Sequence, residues 1–60
     1  MEQKFVDNRG REWEVFVDRS YFDCVCVRLS DDRDFNSNTS FHFNTIKQAT
    51  LFAELLKEAN

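Results

Sequence analysis

The sequence predicts a small α+β domain, in which four antiparallel strands form a meander and one C-terminal helix packs on one face of the sheet. Two patterns support this fold class. Apolar and polar residues alternate through most of the first 43 residues, and the apolar spacing becomes that of an amphipathic helix afterwards. The chain has 60 residues, enough for a single domain over residues 1–60 with one core.

The predicted strands span residues 3–7, 11–18, 21–30 and 39–43. The second strand alternates clearly, because Trp13, Val15 and Val17 share one face. Gly10 lies where a hairpin between the first two strands needs a residue with positive φ. A second turn is expected at residues 18–20, so short connections should keep successive strands adjacent.

The helix is predicted over residues 45–58. Thr45 and Gln48 have the spacing of a capping box, in which each side chain accepts a hydrogen bond from a free backbone N–H. An apolar stripe follows at the helical period: Ile46, Ala49, Phe52, Ala53, Leu56 and Ala59. Leu51 and Leu55 lie just beyond its edge, so the apolar sector is wider than one sheet face can cover.

The two faces of the predicted sheet differ in composition. The face expected under the helix is apolar: Trp13, Val15, Val17, Val25, Val27, Leu29, Phe41 and Phe43. The opposite face mixes aromatic, thiol and cationic side chains: Phe16, Phe22, Cys24, Cys26, Arg28 and His42. A lone copy would leave apolar surface exposed both there and at the helix edge. We therefore expect a homodimer, with Leu51 and Leu55 in the self-association surface.

Charge and composition disfavour nucleic acid and exclude a membrane span. Eight Lys and Arg residues against eleven Asp and Glu give a formal net charge of -3, and the acidic excess lies in residues 1–44. Net acidity disfavours nucleic acid, whose phosphates are neutralised by cationic side chains. No apolar run approaches the roughly 20 residues of a membrane span. Two cysteines and no signal-peptide pattern indicate a cytoplasmic location.

Two sets of potential metal ligands are incomplete. Cys24, Cys26 and His42 are expected on one sheet face, but structural zinc needs a fourth ligand. Residues 32–38 resemble the start of an EF-hand loop, because oxygen-bearing side chains occupy alternate positions. Ser37 stands where that motif has glycine, and Phe43 where it has glutamate. We therefore expect no metal and no other cofactor.

The sequence offers little for catalysis. Its lone histidine has no evident nucleophile partner, and no glycine-rich phosphate loop is present. We expect a non-enzymatic regulatory or inhibitory module that binds another protein, steered by its acidic half toward a basic surface. In size and style the chain is similar to the accessory proteins of bacteriophages and mobile elements, some of which block nucleic-acid enzymes. The predicted partner contacts lie in the acidic loop: Asp31, Asp32, Asp34 and Phe35.

The alternative function is binding of single-stranded nucleic acid. Phe16, Phe22, Arg28 and His42 could stack unpaired bases on the uncovered sheet face. The order of elements also resembles the Pur-type repeats and the single-strand-binding transcriptional coactivators, both of which have four strands followed by a helix. This resemblance covers most of the chain at the level of topology and includes no residue motif. The basic loops of those groups are missing here, so the resemblance carries over the order of elements and no binding residue.

Overall fold

The computed structural model describes residues 2–58. It contains four strands and one helix: β1 (Glu2–Val6), β2 (Glu12–Asp18), β3 (Cys24–Leu29), β4 (Ser40–Phe43) and α1 (Ile46–Lys57). The strands form one antiparallel sheet in the order β1–β2–β3–β4, and α1 packs on it, which confirms the predicted α+β meander. No helix in this part of the chain is long and apolar enough to cross a membrane.

The strand register decides which side chains face α1. Phe5 pairs with Trp13, Val15 pairs with Val27, and Val27 pairs with Phe41. Odd-numbered side chains of all four strands therefore share one face, here called the helix face. Even-numbered side chains point the other way, to the second face.

The core lies between the helix face and α1. Its buried members are Trp13, Val15, Val25, Val27 and Ala49, with Phe5, Leu29, Phe41, Phe43, Phe52 and Leu56 packed around them. Val17, predicted to be covered by the helix, is only half-buried, and α1 packs over β3 and β4 instead of the end of β2. Ala59, which the sequence pattern adds to the helix stripe, lies outside the described residues.

Both ends of α1 are capped by side chains. Thr45 Oγ1 accepts a hydrogen bond from the backbone N–H of Gln48 at 3.1 Å, as predicted. The Gln48 side chain accepts from the N–H of Asn44 at 3.2 Å, so the reciprocal bond of the capping box reaches one residue further back. At the other end, Asn8 donates its backbone N–H to the C=O of Leu56 at 3.0 Å and its side-chain amide to the C=O of Glu58 at 2.6 Å. The β1–β2 turn thus satisfies free carbonyls of the helix.

β3 begins at Cys24, three residues later than predicted. Two consecutive turns precede it, since the N–H of Tyr21 donates to the C=O of Asp18 (3.1 Å) and that of Cys24 to the C=O of Tyr21 (3.0 Å). Phe22 and Asp23 have φ values of 56° and 55°, in the left-handed region that strands do not use. Phe22 therefore lies in a turn and not on the sheet face where the alternation placed it.

Candidate interaction surfaces

Three buried aspartates, each within three residues of the end of a strand, organise the connections between strands. Asp7, Asp18 and Asp32 are all less than a tenth exposed. Each carboxylate accepts hydrogen bonds from the backbone two residues further along, which is the pattern of an Asx turn. The chain has one glycine and no proline, so hydrogen bonds to these Asp side chains stabilise the turns instead.

Asp7 joins the first hairpin to the core through four hydrogen bonds. Its carboxylate accepts from the backbone N–H groups of Arg9 and Arg11, from Nε of Arg11, and from the indole Nε1 of Trp13, at 2.8–2.9 Å. Burial by itself would raise the pKa of this carboxyl. The bonds from Trp13 and the two arginines outweigh burial and hold the pKa well below its ordinary value of 3.8.

Asp32 organises the loop between β3 and β4, here called the acidic loop (residues 30–39). Its carboxylate accepts from the N–H groups of Asp34 (3.1 Å) and Asn36 (2.9 Å), the Asn36 amide (3.0 Å) and the Thr39 hydroxyl (2.7 Å). Burial would raise the pKa of Asp32, but these bonds, led by that from Thr39, lower it. The carboxylate is thus engaged inside the loop. The predicted contact residues left exposed are Asp31, Asp34 and Phe35.

Asp18 links the β2–β3 turn to β4. Its carboxylate contacts Nε2 of His42 at 2.9 Å and accepts from the backbone N–H and the hydroxyl of Ser20 at 3.1 and 2.7 Å. The hydrogen bond with His42 is the main cause that lowers the pKa of the Asp18 carboxyl. The His42 ring in turn lies against the ring of Tyr21, with centroids 4.3 Å apart.

Aromatic side chains continue across the second face of the sheet, because the acidic loop folds back over it. Cζ of Arg28 lies 5.0 Å from the ring centroid of Phe16 and 4.7 Å from that of Phe35. The ring centroid of Phe35 is 6.2 Å from that of His42, and the ring of Phe22 meets that of Tyr21 edge-on at 5.2 Å. These contacts form one continuous set, here called the aromatic row: Phe16, Arg28, Phe35, His42, Tyr21 and Phe22.

The structure brings together three of the four residues predicted for the nucleic-acid alternative, and places the fourth, Phe22, in the turn at the end of the row. The two candidates that could donate hydrogen bonds to phosphate, Arg28 and His42, are already engaged. Arg28 forms a salt bridge with Glu14 at 2.9 Å, and each side chain is 19% exposed. His42 contacts Asp18. Their capacity to bind phosphate is therefore reduced.

Three residues of the aromatic row are exposed: Tyr21, Phe22 and Phe35 have exposed fractions of 48%, 86% and 43%. The sequence pattern does not distinguish Tyr21, because the run of aromatic and β-branched residues assigns it to a strand. The nearest signal is the turn predicted at residues 18–20, where Ser20 follows Asp18 at the spacing of an Asx turn, but this turn continues to Asp23.

A shallow groove runs beside α1 along the outer edge of β4. Its volume is about 450 Å³, and its lining residues carry no carboxylate, Lys or Arg side chain: His42, Phe43, Asn44, Gln48, Leu51, Phe52 and Leu55. Leu51 and Leu55 are 59% and 66% exposed. The two residues predicted for self-association therefore share one surface, here called the α1/β4 groove.

The edge of β4 borders this groove. The N–H of Leu29 donates to the C=O of Thr39 at 2.9 Å, which fixes the alternation of bonded pairs between β3 and β4. In this alternation the backbone groups of Phe41 and Phe43 form hydrogen bonds with β3, whereas the backbone N–H and C=O of His42 point away from the sheet. An outward-facing edge of this kind can pair with another strand.

The two thiols have different surroundings. Cys26 is fully buried, and burial, assisted by the nearby charge of Asp18, raises the pKa of its thiol to about 11. Cys24 is half-buried, and its sulfur lies 4.0 Å from Oδ1 of Asn44. Among residues 2–58, no group of three or more His, Cys, Asp or Glu side chains is placed to hold a metal ion.

This difference predicts that only one thiol reacts in the folded protein. Titration with a chromogenic disulfide reagent near neutral pH should modify Cys24 first, while Cys26 should react only after addition of urea, because a buried thiol with a raised pKa forms little thiolate. Cys24→Ser should remove the fast phase. Two equally fast thiols in the native wild type would contradict the burial of Cys26.

Two exposed surfaces thus combine apolar side chains with polar surroundings: the α1/β4 groove, and the end of the aromatic row at Tyr21, Phe22 and Phe35. Either could bind a macromolecule by burying apolar area. No family model, no curated protein and no solved structure matches the chain.

Proposed function

We propose that the protein is a non-catalytic cytoplasmic interaction module that works as a homodimer and binds another protein in a regulatory or inhibitory role. The α1/β4 groove carries the proposal. Leu51 and Leu55 are each more than half exposed there, beside the half-buried rings of Phe43 and Phe52. Soluble monomers rarely expose apolar side chains in contiguous patches, and such patches mark binding surfaces.

A second copy of the chain is the occupant that this groove favours. The outward N–H and C=O of His42 allow the β4 edges of two copies to pair antiparallel about a twofold axis, which brings the two α1 helices side by side. The groove lining has no ionised carboxylate, so two chains of net charge -3 can meet there without direct repulsion. A 60-residue domain also gains from the added burial.

The dimer predicts an effect of Leu51→Asp on mass in solution. Sedimentation velocity at two concentrations about a hundredfold apart should show wild-type mass rising from 7.2 kDa toward twice that value, whereas Leu51→Asp stays monomeric because its carboxylate would be buried in the interface. Thr50→Asp is the matched control. It places the same charge on α1, but beside the β1 side of the helix, and should dimerise as the wild type does. A wild type that remains at 7.2 kDa throughout removes the dimer from the proposal.

The acidic loop supports a protein partner with a basic surface. Asp31 and Asp34 are exposed on either side of the loop-forming Asp32, and Phe35 presents part of its ring next to them. An aromatic side chain bordered by carboxylates combines a binding anchor with electrostatic steering of the encounter. The surface would thus select partners rich in Lys and Arg.

The aromatic row favours a second candidate function, binding of single-stranded nucleic acid, because successive bases stack on exposed rings. Protein binding is favoured over this function, because Arg28 is engaged in a salt bridge and His42 contacts Asp18. Fluorescence anisotropy of a labelled oligothymidylate at low and moderate salt separates the two functions. Tight binding that weakens with salt would favour the nucleic-acid function. Absence of binding at low salt rules it out.

A further inference from the structure

Phe22 is displayed at the tip of the β2–β3 turn. Its side chain is 86% exposed, more than any other large apolar side chain among residues 2–58. The ring meets Tyr21 edge-on and is not part of the core. Packing within the protein therefore gives little reason for an aromatic residue at this position.

The backbone at Phe22 makes its presence more unusual. Its φ of 56° and that of Asp23, 55°, lie in the left-handed region, where a Cβ atom approaches the neighbouring carbonyl oxygen. Glycine and asparagine are the residues that such turns prefer. A bulky aromatic residue here keeps an unfavourable conformation and gains almost no burial in return. Strain of this kind, held by the surrounding structure, is a feature of binding sites.

The turn that carries Phe22 is held by hydrogen bonds and a ring contact. Asp18 accepts hydrogen bonds from Ser20 through its carboxylate and from the N–H of Tyr21 through its carbonyl. The Tyr21 ring rests on that of His42, which itself contacts Asp18. These contacts hold the backbone that carries Phe22, so binding would require little ordering of the turn itself.

Charge indicates the chemistry of the partner. The two segments that carry the exposed rings, residues 19–23 and 31–35, hold three exposed carboxylates, those of Asp23, Asp31 and Asp34, and two exposed guanidinium groups, those of Arg19 and Arg33. The remaining cationic group nearby, that of Arg28, is paired with Glu14. These segments therefore carry a small acidic excess, which favours Lys and Arg side chains over phosphates.

We infer that Tyr21, Phe22 and Phe35 form a binding site for a basic peptide segment of a partner protein, with Phe22 as its anchor. Aliphatic side chains of the segment cover the three rings, and its Lys or Arg side chains face the carboxylates or lie over the rings. This inference rests on the proposed protein-binding function and specifies the contact surface and the chemistry of the partner. The site is separate from the α1/β4 groove.

A display library of random peptides, selected on the wild-type protein, tests the site. Selected peptides should combine Lys or Arg with aliphatic residues. Their affinity for Phe22→Asn should fall by about tenfold or more, the loss expected when a central aromatic anchor is removed. Val6→Asn is the control, because it makes the same kind of change at an exposed apolar residue of β1 that belongs to neither surface, and it should bind the peptides as well as the wild type does.

Thermal unfolding of the same variant distinguishes an anchor from a structural residue. Asparagine accepts the left-handed conformation, so the Tm of Phe22→Asn should equal that of the wild type or exceed it by up to about 5 °C. Unchanged stability together with lost peptide binding supports the site. A lower Tm would show that Phe22 is needed by the fold and overturn the inference.

The remaining outcomes separate this site from the proposed function. Peptides that bind wild type and Phe22→Asn equally would overturn the site while protein binding stands. A library that yields no binder would count against both. Binding of labelled oligothymidylate that depends on Phe22 would assign these rings to nucleic acid and overturn the peptide site.

Discussion

Trp13→Ala should lower the free energy of unfolding by about 4 kcal/mol, the usual cost of truncating a buried tryptophan. The side chain is 2% exposed and lies between the rings of Phe5 and Phe41, with centroids 6.4 and 6.3 Å away. Its removal opens the centre of the core and also deletes the indole donor to Asp7. A domain of this size has a total stability of only about 3–9 kcal/mol, so the variant should retain little of it. Urea unfolding followed by far-UV circular dichroism measures the loss.

Trp13→Phe separates packing from hydrogen bonding at this position. It keeps an aromatic ring in the core but removes the N–H that Asp7 accepts at 2.8 Å. The expected loss is about 1–3 kcal/mol, smaller than for alanine. If Trp13→Ala unfolded at the same urea concentration as the wild type, the core described between the sheet and α1 would be wrong.

Acid should destabilise the protein through its three buried aspartates. The pKa of each carboxyl is lower in the fold than its ordinary value of 3.8, because the folded state donates hydrogen bonds to the ionised form. The stabilisation from Asp7, Asp18 and Asp32 is therefore complete above about pH 4 and is lost as the pH falls through the folded-state values. Thermal unfolding followed between neutral pH and about pH 2 should show a steep decline of Tm below pH 4.

Asp7→Asn tests the largest of these contributions. The amide cannot accept all four hydrogen bonds made by the carboxylate, and Arg11 loses its ion pair. At pH 7 we expect Tm to fall by about 10–20 °C. The decline of Tm below pH 4 should also be shallower than in the wild type. Asp31→Asn, at an exposed position, should leave both quantities unchanged, and equal effects of the two substitutions would contradict the role of Asp7.

The elements that could be predicted from the sequence are those decided by local pattern. Gly10 was expected to adopt positive φ and has a φ of 83°. Thr45 was expected to cap the helix, and it does. The alternation of Trp13 and Val15 fixed the helix face of β2 because a shift of one residue would bury glutamates. Signals of this kind act over a few residues and do not depend on the rest of the chain.

The features that could not be predicted depend on contacts between distant residues. The strand pattern places Phe22 on the sheet, but the turn held by Asp18 overrides β propensity there. Phe35 looks like an isolated ring in a polar loop, and only the folding of that loop brings it over Arg28. Leu51 and Leu55 were predicted to share a surface, since one helix turn separates them, but the groove beside them also needs Phe43 from β4. Their role in self-association remains a prediction.

The bonds from Asn8 to the carbonyls of Leu56 and Glu58 join segments about 50 residues apart. The first hairpin therefore has no partner for Asn8 until the ribosome has made the end of α1. Growing chains should expose their aromatic residues until that moment, because the sheet lacks its covering layer. Docking of α1 on the sheet should therefore compete with aggregation of the newly made chain.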